Sequence, residues 1–439
     1  MTLPETLPRI QAGLLGVALL LSACSPPAPL PKNAPSGRPS STATSSPQTP
    51  SPDPFSRTGP PVATGPMEEV PATVAALAKE LAAGKSSERE KALAFYDWVA
   101  RNIRYDIVAY QAGKYPDPSP EATFSTRSGV CEGYARLFEA MCHAVGMEAE
   151  MVAGYSKGFA PDEDKSEPDH AWNAVKIDGK WVLLDPTWGS GHIDQGKDFV
   201  AEFSRDWFET PPDQFVATHL PEDPRWQLRS SPMDLAEFLV QPSLSNRYFD
   251  YGLNLLSHQK GKIATDGPFE VKISSDKDCR MMAALYQGPN SLPGTYTLVE
   301  REGRSNVISV DPPAAGSYSL VVFVGPPDQL QAQSAVVYQV TSSGPGGTEF
   351  PKTLRGFDDH EVRLVSPRRN LRSGEEVEIV VQAPGARDVM AVQGEKQTPF
   401  QREGDTFRLY LYPEGRKVGV FGAYDQGNSY KGLLEYSVE

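Results

Sequence analysis

Cysteine is scarce in this chain. Four in 439 residues are too few to staple a fold of that length, which excludes a disulfide framework and leaves each cysteine to be read by itself. Long apolar runs are missing as well. The stretch Gly13 to Leu21 falls well short of the roughly 20 residues a membrane-spanning helix needs. There is no excess of positive charge. Lys and Arg number 42 against 56 Asp and Glu, a net charge of −14. That balance excludes the basic footprint of a nucleic-acid binder and gives no electrostatic pull toward anionic lipid. The cysteines and six histidines show no spacing typical of a zinc site, so neither a metal nor a cofactor is expected.

What is present is unevenly spread. A short start carrying Arg9 and the apolar run to Leu21 have the make-up of an export signal over 1–23. Its end, Leu21-Ser22-Ala23-Cys24, resembles a bacterial lipobox. That resemblance implies cleavage before Cys24 and acylation of its thiol, which would hold the protein at a membrane surface of the cell envelope without a spanning helix. Residues 25–66 hold 13 of the 41 prolines. With Ser, Thr and Gly filling most of the rest, the segment cannot bury a core, and 24–66 is expected to be an extended tether.

Folding is expected from Met67. Glu68 to Ala83 has helical spacing with Pro71 in its first turn, and Ser87 followed by Glu90 forms a capping box for a second helix. Val108 to Ser128 is rich in Pro, Ser and Gly and is expected to be a loop. It leads into GVCEGYARLFEAMCHAVG, where Tyr134, Leu137, Phe138, Met141 and Val145 recur at the three-and-four spacing of an amphipathic helix. Cys131 therefore falls in the first turn, where free N–H groups and the helix dipole favour a thiolate, the nucleophilic form. Cys142 sits deep in the same helix and reads as a small buried hydrophobe, as does Cys279.

The partners come from HAWNAVKI-DG-KWVLLDPTW (170–188). Two β-rich runs flanking Asp-Gly are a strong hairpin signal. A two-residue turn sets Ile177 opposite Lys180 and fixes a register in which Trp172 faces Asp185. His170 and Trp172 share a face, so His170 and Asp185 are diagonal neighbours, within side-chain reach at about 7–8 Å between backbones. A three-residue turn would separate them. A thiol at a helix start, an imidazole and a carboxylate are what nucleophilic acyl transfer uses: Cys131 attacks, His170 moves the proton and Asp185 orients the ring. Of the other histidines, His143 is on the Cys131 helix, and His192, His219, His258 and His360 lie in Pro/Gly- or polar-rich surroundings; none carries a comparable signal.

The two runs around Cys131 and His170 resemble the core motifs of the transglutaminase-like superfamily, a papain-related fold. FYDWVARNIRYD upstream and WFETPPDQFVATHLPEDPRWQL downstream resemble its kyphoscoliosis-peptidase and cytokinesis-associated branch. By position the resemblance implies a triad of Cys131, His170 and Asp185, acting at amide carbonyls without a redox cofactor. It leaves hydrolysis and transamidation both open, and some members of the family serve as binding domains. The Cys131 backbone N–H is one expected oxyanion donor. Asn102, Tyr105 and Gln111 are candidates for the second. Trp172 and Trp188 are candidates for the cleft wall or for core.

From Leu235 a helix and an extended segment are expected to close a catalytic domain of 67–255. Short strands at 8–14-residue spacing follow on either side of the linker Ser342 to Gly347. They imply two antiparallel, immunoglobulin-like sandwiches, 256–343 and 348–439. The expected architecture is thus α+β, a transglutaminase-like domain followed by two all-β modules. The expected substrate is an envelope protein or peptide. The alternative is a non-enzymatic surface protein that uses the same domains to bind partners.

Overall fold

The computed structural model describes residues 70–158, 167–194, 198–329, 331–425 and 429–439. The leader, Cys24 and the tether lie outside the described residues. The chain forms two compact units that meet at Asp234 and Leu235.

In the first unit, α1 (Ala72–Ala82) starts one residue after Pro71, which occupies the N-cap. The Ser87–Glu90 capping box opens α2 (Glu88–Asn102). The stretch expected as a loop contains two short helices, α3 (Ile107–Ala112) and α4 (Pro120–Thr126). Asp, Ser and Pro residues within it and just before it are partly cap chemistry rather than loop chemistry. Asp106 and Ser119 accept the N–H groups of Ala109 and Ala122, and Pro120 takes the first helical position. Strands β1 (Arg104–Tyr105) and β2 (Ser128–Gly129) pair in parallel just ahead of α5 (Cys131–His143). Tyr134, Leu137, Phe138 and Met141 of α5 are fully buried.

The sheet that receives α5 is built from β3 (Ala149–Ser156), β4 (His170–Ile177) and β5 (Lys180–Leu184). A small hairpin follows, β6 (Gly191–Asp194) with β7 (Asp198–Ala201). Next come β8 (Phe208–Thr210), α6 (Pro212–Phe215) and β9 (His219–Pro221). The five-stranded order is β8-β5-β4-β3-β9, antiparallel throughout. The β4–β5 register runs from Ile177 opposite Lys180 to Asn173 opposite Leu184. Asp178 and Gly179 have φ of 49° and 76°, the signs a type I′ turn requires. Gly154 of β3 permits a close approach: a Cβ there would overlap the Leu220 carbonyl and the Trp172 ring.

The second unit holds two β-sandwiches. In the first, a six-stranded sheet centred on Gly316–Gly325 and Gln333–Ser342 faces a four-stranded sheet centred on Phe269–Ser275 and Ser305–Val310. The second pairs a five-stranded sheet around Lys417–Ala423 and Lys431–Ser437 with a four-stranded sheet around Val377–Gln382 and Thr406–Leu411. The boundary expected at 255 moves to 234. Leu235–Val240 is a short helix, and after it come two short strands with a second short helix, Asn246–Asp250, between them, all within the second unit. Ser243–Leu244 pairs with Gln333–Ser342, and Leu253–Leu255 pairs with Phe269–Ser275. The linker is also pinned to the first sandwich: Ser343 N–H donates to Thr265 and Gly347 N–H to Pro312. Buried Glu300 of the first sandwich accepts from the Leu364 backbone and from Arg368 of the second, tying the two modules together.

Candidate active site

Cys131 is the first residue of α5. The N-cap, Val130, has no side chain able to cap, so the N–H groups of the first turn and the positive dipole end act on the thiol. The residue is 8% exposed and packs with Ala135, Ala171 and Met151. Glu132 beside it pairs with Arg136 at 2.7 Å, a helix-surface pair. Asn173 of β4 donates to the Ala135 carbonyl at 2.9 Å. That bond anchors the histidine strand to the cysteine helix.

His170 opens β4 and is buried. Its Nε2 lies 2.8 Å from Asp185 Oδ2, and the ring also hydrogen-bonds the Cys131 side chain. With Nε2 committed to the carboxylate, Nδ1 is the nitrogen left for sulfur. Asp185 follows the last residue of β5, and its oxygens are fully used. Oδ1 accepts the N–H groups of Thr187 and Trp188 at 2.7 and 3.1 Å. Oδ2 receives His170 and, at 3.1 Å, His219 Nε2.

The electrostatics follow from this geometry. Burial alone would strip His170 of its proton. The charge and hydrogen bond of Asp185, with the hydrogen bond and charge of Cys131, outweigh burial and raise it to about 10. Burial disfavours the Asp185 anion, but the two imidazoles hold it well below the usual carboxylate range. His219 goes the other way: burial, helped by the nearby His170 charge, depresses it to about 4. Buried Tyr134 and Tyr96 remain neutral, raised by burial and by the Asp185 charge, and donate to the carbonyls of Ile103 and Ser204.

The structure therefore brings Cys131, His170 and Asp185 together. It separates Asn102 from them, since that side chain is exposed and gives its amide to Trp98 of its own helix. Tyr105 is buried and pairs with Gly129, two residues before Cys131. Gln111 lies on the exposed side of α3. Trp172 is fully buried, and Trp188 is nearly so, its ring 5.8 Å from His170 and 4.5 Å from His219.

His219 is the residue that sequence reasoning missed. Its surroundings in the chain are irregular, but β9 pairs with β3 so that Ser156 faces His219 and Gly154 faces both His170 and Pro221. Only the apolar neighbours Phe215, Val216, Ala217 and Leu220 pointed toward burial. The sequence offers no zinc-like spacing of cysteines and histidines, and the grouping that the fold makes joins two histidines to a carboxylate instead. His170, Asp185 and His219 form a group whose ligand atoms lie within 4.8 Å of one another. Both Nε2 atoms lie within hydrogen-bond distance of one carboxylate oxygen, Asp185 Oδ2.

Comparison with known proteins bears on both units. Residues 75–186 match the transglutaminase-like superfamily, and residues 235–351 match the KY-like, immunoglobulin-like domain. Kyphoscoliosis peptidase of Mus musculus is 31% identical over 252 residues, covering 56% of this chain and 37% of its own. The Lim and transglutaminase domain protein ltd-1 of Caenorhabditis elegans is 26% identical over 250 residues, covering 53% and 33%. The chain thus spans about a third of the length of these curated relatives. A solved TGase structure is 26% identical, covers 31% of this chain and 35% of its own, and superposes with a TM-score of 0.21.

Proposed function

We propose, for a chain that carries a transglutaminase-like domain followed by a KY-like, immunoglobulin-like domain and is homologous to kyphoscoliosis peptidase, that the first unit is a cysteine enzyme acting at amide carbonyls. The single observation behind this reading is the His170 ring held between the Cys131 thiol and the Asp185 carboxylate. In the resting pair the Cys131 proton sits on His170. The thiolate attacks the carbonyl carbon, and the oxyanion is received by N–H groups at the start of α5. His170 gives its proton to the departing amine as the C–N bond breaks, leaving a thioester on Cys131. Water or a second amine, deprotonated by His170, then attacks the thioester and releases the thiolate. The name of the murine relative, a peptidase, supports water as the acceptor. Asp185 keeps the ring oriented and its cation stable.

In this reading Cys24 carries the lipid, the segment to residue 66 is the tether, and the substrate is a protein or peptide of the cell envelope. The two sandwiches space or dock the enzyme. The deciding experiment is alkylation of Cys131 by iodoacetamide against pH. An unassisted thiol titrates near 8.5, so at pH 6 under about 1% of it is thiolate. The paired thiol reacts at pH 6 nearly as fast as at pH 8, and His170→Ala slows it there by about a hundredfold. Equal reactivity in wild type and variant assigns the domain to partner binding instead. Incubation with envelope peptides and a labelled amine, followed by mass spectrometry, then separates cut from crosslinked products. Loss of lipid labelling in Cys24→Ser tests the anchor.

A further inference from the structure

We propose that His219 is a positioning residue for the active site, an imidazole that holds the Asp185 carboxylate in place while leaving its charge to His170. The inference rests on the reading above that Cys131, His170 and Asp185 form the reacting set, and it adds a fourth member.

A histidine this deep needs a reason. His219 is fully buried and stacks on Phe215 at 4.2 Å with 22° between the rings. The rings of Trp188, Trp172 and Trp207 enclose it at 4.5, 5.1 and 5.3 Å. An apolar ring of similar size would fill that cage without any desolvation cost, whereas an imidazole costs free energy unless both nitrogens are satisfied. Both are. Nδ1 lies 2.8 Å from the Thr218 hydroxyl and Nε2 lies 3.1 Å from Asp185 Oδ2.

The tautomer follows from these partners. Asp185 and His170 are the titratable groups acting on His219, and burial with the His170 charge keeps the ring neutral above about pH 4. A neutral ring has one N–H. The carboxylate can only accept, so the proton is on Nε2, and Nδ1 accepts from the Thr218 hydroxyl at 2.8 Å, closer than the 3.3 Å at which that hydroxyl reaches the Phe215 carbonyl. A neutral donor orients Asp185 Oδ2 without neutralising it. A cation in that position would compete with His170 for the same oxygen. Together with the Thr187 and Trp188 N–H groups on Oδ1, His219 leaves the carboxylate one orientation, the one that faces His170.

The test compares the pH profile of Cys131 alkylation in the full chain for wild type, His219→Phe, His219→Gln and His170→Ala. His219→Phe fills the cage but donates nothing. Its acid limb is expected to move up by about one pH unit, read from the midpoints of the two profiles, with the reaction up to about tenfold slower on the limb itself. His219→Gln restores an N–H and is expected to stay within about threefold of wild type. A purely structural role would lower the folded fraction, read by tryptophan emission, and leave the limb of the folded protein where it was. His219→Met substitutes if the phenylalanine variant does not fold. An unmoved limb in the apolar variants, or a glutamine variant as slow as they are, overturns the positioning role. An unmoved limb in His170→Ala overturns the underlying triad instead, which keeps the two failures distinguishable.

Discussion

Asp185→Asn isolates the charge pair with little change in shape. In the wild type the His170 cation exists in a fully buried place because the Asp185 anion faces it. The asparagine keeps an oxygen for the Thr187 and Trp188 N–H groups but takes away the charge, so burial drives His170 to its neutral form. The size of the effect follows from the folded and unfolded proton affinities of His170, about 10 and 6.5. A gap of about three and a half units corresponds to roughly 4–5 kcal/mol. Breaking a buried ion pair from one side costs about 3–5 kcal/mol in general. The depression of Asp185 is the same interaction seen from the other partner and is not added. The sign is set by the raised affinity in the folded state. The contribution is complete below about pH 6.5 and disappears as pH rises through about 10. The assay is urea unfolding followed by tryptophan emission, since all six tryptophans, Trp98 to Trp226, belong to the first unit. Wild type is expected to exceed the variant by several kcal/mol at pH 6 and to converge on it toward pH 10. A gap that stays constant over that range would refute a charged His170 in the folded protein.

Other outcomes follow from the same geometry. The depressed affinity of His219, about 4 folded against 6.5 unfolded, means the unfolded chain binds the extra proton. Stability of the first unit therefore rises with pH between about 4 and 6.5, by at most about 1.4 kcal/mol per unit from this group, and His219→Gln flattens the slope. Asn173→Ala removes the bond from β4 to the Ala135 carbonyl of α5. It is expected to cost about 1–3 kcal/mol in urea unfolding and to slow Cys131 alkylation by loosening the two elements. Leu137→Ala, at a fully buried position of α5, is expected to cost about 2–5 kcal/mol. Gly154→Ala forces a Cβ into the Leu220 carbonyl and the Trp172 ring. It is expected to destabilise by at least about 1–3 kcal/mol as an overpacked site, with the displacement falling on β9 and hence on His219.

What could be read in advance was what depends on short stretches of chain. The Asp178-Gly179 turn sets the β4–β5 register through two residues of positive φ, and that register predicts one shared face for His170 and Asp185. The three-and-four apolar spacing after Cys131 places the thiol at a helix start. The strands of both sandwiches lie close to where alternating and β-branched runs put them. Where reading failed, the local signal was ambiguous. Asp106, just before the stretch 108–128, and Ser119 and Pro120 within it open two short helices as readily as they make a loop. The segment 235–255 carries a helical pattern followed by an extended one, and nothing within it says which sheet its strands will join.

Taken alone, the sequence determined the helix that Cys131 opens, the hairpin that carries His170 and Asp185 and the order of α+β and all-β parts, because turn chemistry and side-chain periodicity act over a few residues. Tertiary structure alone decided that His219, 34 residues beyond Asp185, meets the same carboxylate oxygen. That contact depends on β9 crossing to the far edge of the sheet beside β3, a pairing set by long-range packing around Trp172 and Phe215, not by any preference of the residues next to it.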